Sequence, residues 1–222
     1  MASTPTLAAA PTVPAETLLT ISAAGESTRV PDIAIVSAGV VTQSVDARTA
    51  MRDNSAQMVR VIAALKKAGV AERDIQTSNV SLNPQYRYRE NQLPELVGYQ
   101  ANNNVTVKLR NVAKAGDAID ALVGEGANQV NGPSFALDNS DAALDEARVD
   151  AMKKARARAN LYATAAGMSV KRIVSISEAG GWQPPYPMPM VAMKAEAADA
   201  ATPVSPGEVG TNVTVTVVFE LQ

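Results

Sequence analysis

An α+β fold is what this sequence predicts: a mostly antiparallel sheet with helices packed on one face. Three observations carry that expectation. β-Prone runs come in adjacent pairs, separated by stretches whose apolar residues recur at helical spacing. The chain closes on Asn212 to Leu221, where Val213, Val215 and Val217 alternate with Thr214, Thr216 and Val218. A helix, a glycine, a basic turn and a β-run also recur in that order, with Gly69 leading to Ile75 and Gly167 to Ile173 at the same spacing. The chain therefore reads as two related β-α-β-β-like halves.

Each element follows from local pattern. Leu18 to Ala23 and Ile33 to Val41 read as strands, the first ending at Gly25 and the second opened by Pro31-Asp32. From Asp46 the period becomes helical, with Ala47, Met51, Asn54, Met58, Val61, Ile62 and Leu65 on one face. Lys66 and Lys67 occupy its last turn, and Gly69 follows as C-cap. Residues 75–89 and 96–110 form a long hairpin whose tip is the polar, aromatic segment Tyr86 to Pro94. A second helix fits Val112 to Val123 and ends at Gly124, and a strand follows from Gln129 to Leu137.

The longest helix spans Asp141 to Ala166, capped from Asp138 or Ser140 and closed by Gly167. Its expected inward stripe is Leu144, Ala147, Ala151, Ala155, Ala159, Tyr162 and Ala166. Acidic residues crowd its first half and basic residues its second, the order a helix dipole favours. Val170 to Ser177 is a strand, and a Pro/Met/Ala-rich loop covers about residues 180–207. Residues 1–16 read as a flexible arm ahead of one domain at 17–222.

Composition narrows the chemistry. The 222 residues contain no His and no Cys, which removes the imidazole base, the Ser-His pair, the thiol nucleophile, the disulfide and the His or Cys metal site. The net charge is -2 and the basic residues do not cluster, so nucleic acid has no electrostatic footprint. No run approaches the roughly 18 apolar residues of a membrane span. Aromatics are 4% of the chain, so Val, Ile, Leu, Met and Ala must fill the core.

A family resemblance runs along the same residues. Ala23-Ala24-Gly25-Glu26 followed by Pro31-Asp32-Ile33-Ala34 resembles the opening of SIMPL-domain proteins. The likeness continues through Asn54, Met58, Leu65 to Val70, Asp74 to Thr77 and Pro84 to Tyr86. It extends through Gly98 to Ala101, Val105 to Val107, Ala147-Arg148, Ala163, Ala166-Gly167, Pro187 to Met190 and the terminal valines, covering nearly all of residues 17–222. The resemblance implies an exported, periplasmic, non-enzymatic cell-envelope protein, immunogenic and self-assembling, in a family linked to oxidative-stress tolerance. It transfers no catalytic residue and no cofactor. The export signal such a protein needs is not visible in this chain, so the periplasmic expectation rests on the family.

Three candidate sites stand out. Met188, Met190 and Met193 form an M-x-M-x-x-M cluster; thioethers suit Cu(I), and the competing reading is adaptable apolar packing against a neighbouring subunit. Tyr86, Arg87, Tyr88 and Arg89 carry the residue types enriched at interfaces, against a hairpin whose rings cover its own sheet. Trp182 and Tyr186, among Pro184, Pro185 and Pro187, suit docking into a groove of the same domain or a sister subunit. The carboxylates Asp138, Asp141, Asp145 and Glu146 sit where caps and dipole groups belong, too close in sequence for a glycosidase pair. Gly124-Glu125-Gly126 and Ala179-Gly180-Gly181 lack the spacing and the Lys of a phosphate loop. The expected protein is a non-enzymatic homo-oligomer; the alternative is a Met-rich copper-binding or redox-protective one.

Overall fold

The computed structural model of the chain describes residues 16–178, 186–188 and 202–222. Among the described residues eight strands and three α-helices follow in this order: β1 (Thr17–Arg29), β2 (Ile33–Ser44), α1 (Ala47–Lys67), β3 (Ile75–Arg87), β4 (Glu95–Leu109), α2 (Ala115–Gly124), β5 (Gln129–Ala136), α3 (Asp141–Ala165), β6 (Val170–Glu178), β7 (Tyr186–Met188) and β8 (Glu208–Leu221). The fold is α+β, and its registered strand pairs are antiparallel. The strands form two sheets rather than one. One has the order β1-β8-β6, with β7 added to β8, and the other the order β3-β4-β2-β5. Only three residues join β1 to β2, yet the two strands do not pair.

The described residues fall into two compact units. In the first, formed by residues 16–27, 141–178 and 211–222, α3 lies on its sheet through a row of alanines. Ala143, Ala147, Ala151, Ala155, Ala159 and Ala163 are all buried, whereas Tyr162 and Ala166 are exposed and Leu144 only half-buried. The inward stripe is thus a strict i, i+4 series, not the mixed face expected from Leu144 and Tyr162. Methyl side chains let the helix backbone approach the strands closely.

Gly25 completes that approach. It lies inside β1 rather than ending it, and a Cβ there would stand 2.1 Å from the Ala147 carbonyl oxygen and 2.2 Å from the Ala151 nitrogen. A glycine within a strand can mark such close backbone contact as readily as a strand end. Polar groups line the same seam: Arg158 Nη1 donates to the Ser22 carbonyl (3.0 Å), the Glu26 N–H to Asp150 (3.0 Å) and Ser27 Oγ to Glu146 (2.7 Å). Ile21, Ala23, Val213, Val215, Val217 and Phe219 fill the core beneath.

The second unit comprises residues 28–140 and 202–210, with β7. Ala34, Val36, Ala38 and Val40 of β2, with Val105, Val107 and Leu109 of β4, face Met58, Val61 and Leu65 of α1 and Ile119 and Leu122 of α2. Asn54, fully buried on α1, donates from Nδ2 to the Val40 carbonyl (2.7 Å) and the Ala101 carbonyl (3.1 Å), tying the helix to two neighbouring strands. A buried amide is tolerated because these bonds satisfy its donors.

All three helices end alike. The N–H of Val70, Ala127 and Met168 reaches back to the carbonyl of Leu65, Leu122 and Ala163, across a glycine at positive φ (Gly69, Gly126, Gly167). This is the Schellman arrangement, in which glycine avoids the left-handed penalty of a Cβ. The last helical residue of the second helix is Gly124, as expected, and the left-handed glycine of its closing turn is Gly126, two residues on. Either glycine satisfies the sequence pattern, and the closing turn seats Ala127 in the core.

Candidate functional site

The β3–β4 hairpin extends past its sheet. β2 pairs with β4 only as far as Tyr99, opposite Ser44, while β3 and β4 remain paired out to Arg87 opposite Glu95. Residues 85–98 are therefore a two-stranded ribbon. Its turn is closed by the Gln92 N–H donating to the Arg89 carbonyl (3.2 Å), with Asn91 at φ 58°. Asn tolerates that backbone better than other non-glycine residues, which makes it suited to the third position of such a turn. Tyr86 sits across from Leu96. Both are about half exposed, and Tyr88 and Leu93 are 76% and 91% exposed. The expected tip residues Tyr86, Arg87, Tyr88 and Arg89 are thus all exposed.

The face of this sheet away from α1 and α2 carries an amide row that sequence reasoning missed. Gln43 Nε2 donates to Gln100 Oε1 (3.0 Å), Gln100 Nε2 to Asn102 Oδ1 (3.3 Å), and Asn102 Nδ2 to Ser81 Oγ (3.4 Å). The chain of bonds crosses β2, β4 and β3. Its signal lay in the alternation of Gln100, Asn102, Asn104 and Thr106 with Ala101, Val105 and Val107.

A cleft of about 560 Å³ opens where α1 ends and β4 leads into α2. Lys67, Arg73, Lys108, Arg110 and Lys114 line it, against Asp74 and Asp117. Arg110 is clamped: Nε and Nη2 donate to the two oxygens of Asp74 (2.8 and 2.9 Å), and Nη1 donates to Asp138 (2.6 Å). Lys108 also donates to Asp138 (2.7 Å). The Arg110 hydrogen bonds hold the shielded Asp74 carboxyl below the usual carboxylate range, aided by the charges of Arg110, Arg73 and Lys108. Asp138 is lowered by its bonds from Lys108 and Arg110.

The carboxylates weighed for catalysis are engaged in separate pairs. Asp138 holds Lys108 and Arg110, Asp145 accepts from Arg148 (2.8 Å), and Glu146 accepts from Ser27. Arg148 also grips Glu178, whose carboxyl this lowers. Among the described residues no cluster of three or more His, Cys, Asp or Glu side chains can hold a metal ion, and no helix is long and apolar enough to cross a membrane. Trp182, Met190 and Met193 lie outside the described residues. Tyr186 and Met188 fall on β7, whose backbone pairs Tyr186 with Gly210 and Met188 with Glu208 inside the stretch expected as a loop.

Comparison with known proteins agrees with the fold's extent. The SIMPL family model, described as a protein of unknown function (DUF541), matches residues 19–219. The 26 kDa periplasmic immunogenic protein of Brucella melitensis is 38% identical over 213 residues, covering 92% of this chain and 84% of that protein, and its Brucella abortus counterpart matches equally. The uncharacterized protein YggE of Escherichia coli K12 is 30% identical over 171 residues, 76% of this chain and 68% of YggE. With a match that spans both units and both sheets, the chain belongs to the SIMPL family.

Proposed function

We propose that this chain is a non-enzymatic periplasmic protein that self-assembles, with the β3–β4 ribbon as its contact element. One observation carries the reading: residues 85–98 project as a two-stranded ribbon with Tyr86, Tyr88, Leu93 and Leu96 exposed. An isolated two-stranded ribbon is marginal in water, and exposed aromatic and Leu side chains on it are better accommodated against another surface. A second copy of the chain supplies a surface of the same kind at equal concentration. The periplasmic location is supported by the name of the Brucella relatives. Immunogenicity comes from the same name, and an assembly would present its tips in a repeated array. A contribution to oxidative-stress tolerance belongs to the same proposal, as a downstream consequence of an assembled envelope protein.

The test is absolute mass in solution, by light scattering after size exclusion. A discrete mass several times 23.1 kDa is expected for the unaltered chain. The variant Tyr86→Ser/Tyr88→Ser/Leu96→Ser is expected to run as a folded monomer. A monomeric parent at high concentration, or an assembly indifferent to these changes, overturns the reading.

A further inference from the structure

We propose that the cleft between the end of α1 and the start of α2 binds a small phosphate-bearing molecule, through Lys67, Arg73 and Lys114. Four observations converge there. The first is charge. Asp74 and Asp138 neutralise Lys108 and Arg110, which leaves Lys67, Arg73 and Lys114 facing Asp117 alone, an excess of two positive charges. These three cations have no ion-pair partner among the described residues. They stand in a protein whose net charge is -2, so the excess is local and not a property of the whole surface.

The second is size. At about 560 Å³ the cleft falls within the range of small-molecule sites, roughly 300–1,000 Å³. The third is the start of α2. Its N-cap position is held by Lys114, and no side chain caps the helix. A 3-10 turn at Val112–Lys114 leads into the helix and takes up the Ala115 N–H on the Val112 carbonyl, and Asp117 is the one carboxylate of the first turn; the Lys114 ammonium opposes the positive end of the helix dipole. That cost is offset by an anion held beside the ammonium.

The fourth is rigidity. The wall between the cations is fixed by the bidentate Arg110–Asp74 pair and by the Schellman turn at Gly69. A doubly charged phosphate suits this set, since the Arg73 fork and the two Lys ammonium groups match a tetrahedral array of acceptors. The inference stands apart from self-assembly, because the ribbon and the cleft share no residue.

The experiment is isothermal titration of the full chain with inorganic pyrophosphate at low ionic strength. One saturable site per chain is expected, weakened about tenfold or more in Lys67→Ala/Arg73→Ala/Lys114→Ala. The control Arg60→Ala/Lys153→Ala/Arg156→Ala removes as much charge elsewhere and is expected to leave affinity within about twofold of the parent. Circular dichroism verifies that each variant is folded, and single substitutions at the same three positions replace the triple should it not be. A parallel sedimentation arm uses vesicles of phosphatidylcholine with phosphatidylglycerol. Cleft-dependent vesicle binding identifies a lipid headgroup as the source of the phosphate, and pyrophosphate binding without it identifies a free phosphate compound. No saturable binding in either arm, or equal loss in the control variant, overturns the proposal.

Discussion

Arg110 meets Asp74 edge to edge, Nε on Oδ2 at 2.8 Å and Nη2 on Oδ1 at 2.9 Å. The carboxylate at the centre of this pair is 5% exposed. Its folded pKa is depressed, so its contribution to stability is present above the unfolded value of about 4 and is lost as pH falls through the folded one. Asp74→Asn is expected to cost about 2 kcal/mol at neutral pH. Urea denaturation across pH 8 to 2.5 checks the sign: the gap between parent and variant should hold down to about pH 5 and close below about pH 4. A gap that persists unchanged into acid would mean the pair acts through packing and not through charge.

Asn54 gives a second stability prediction. Its two donated bonds pin α1 to β2 and β4 from within the core. Asn54→Ala should destabilise by about 2 kcal/mol, because it removes the bonds and leaves a gap. Asn54→Asp should be worse, since it puts a carboxylate against two carbonyl oxygens. Denaturant midpoints rank the three proteins, and an Asp variant equal to the parent would contradict the geometry.

At Gly25 the obstacle is backbone, not a movable side chain. Gly25→Ala forces Ala147 and Ala151 of α3 away from β1 and is expected to cost about 3 kcal/mol. Gly124→Ala, where a Cβ meets nothing, should be neutral or slightly stabilising. Parallel urea melts of the two variants make the comparison; similar losses would remove close approach as the explanation.

Hydrogen exchange reads the ribbon directly. Amides of residues 85–98 should exchange fast at low protein concentration and slow markedly as concentration rises, while those of β2 stay protected throughout. Protection of the ribbon that does not depend on concentration would argue against assembly through it.

Much of this architecture could be read in the sequence, and the failures have identifiable causes. A β-prone run opened by Pro31-Asp32 located β2, period-two alternation located β4 and β8, and the helical period of Met58, Val61 and Leu65 located α1 with its buried Asn54. The partner of β1 was not legible. A three-residue link through Pro31 looks like a hairpin turn, and nothing local announces that β1 pairs with β8 near the far end of the chain. The inward face of α3 was misread because alanines lie all round that helix, so Leu144 and Tyr162 dominated the apolar signal. Gly25 was taken as a terminator because a close-approach glycine and a strand-ending glycine look identical in sequence. The hairpin tip was legible from Tyr86 to Pro94, since its polar, aromatic run interrupts two β-patterns. The cationic cleft was not, because Lys67, Arg73 and Lys114 belong to three separate segments that only the fold brings together.

The alanine row of α3 carries a consequence for how that helix finds its place. Six identical side chains spaced four apart present the same surface after a slide of one turn, so the apolar contact alone does not encode the phase of helix against sheet. Phase must come from features that do not repeat. Gly25 admits the backbone only between Ala147 and Ala151, and Ser22, Glu26 and Ser27 each meet a single matching partner in Arg158, Asp150 and Glu146. In this unit the methyl groups supply cohesion, while one missing side chain and three polar contacts act as the vernier that sets alignment.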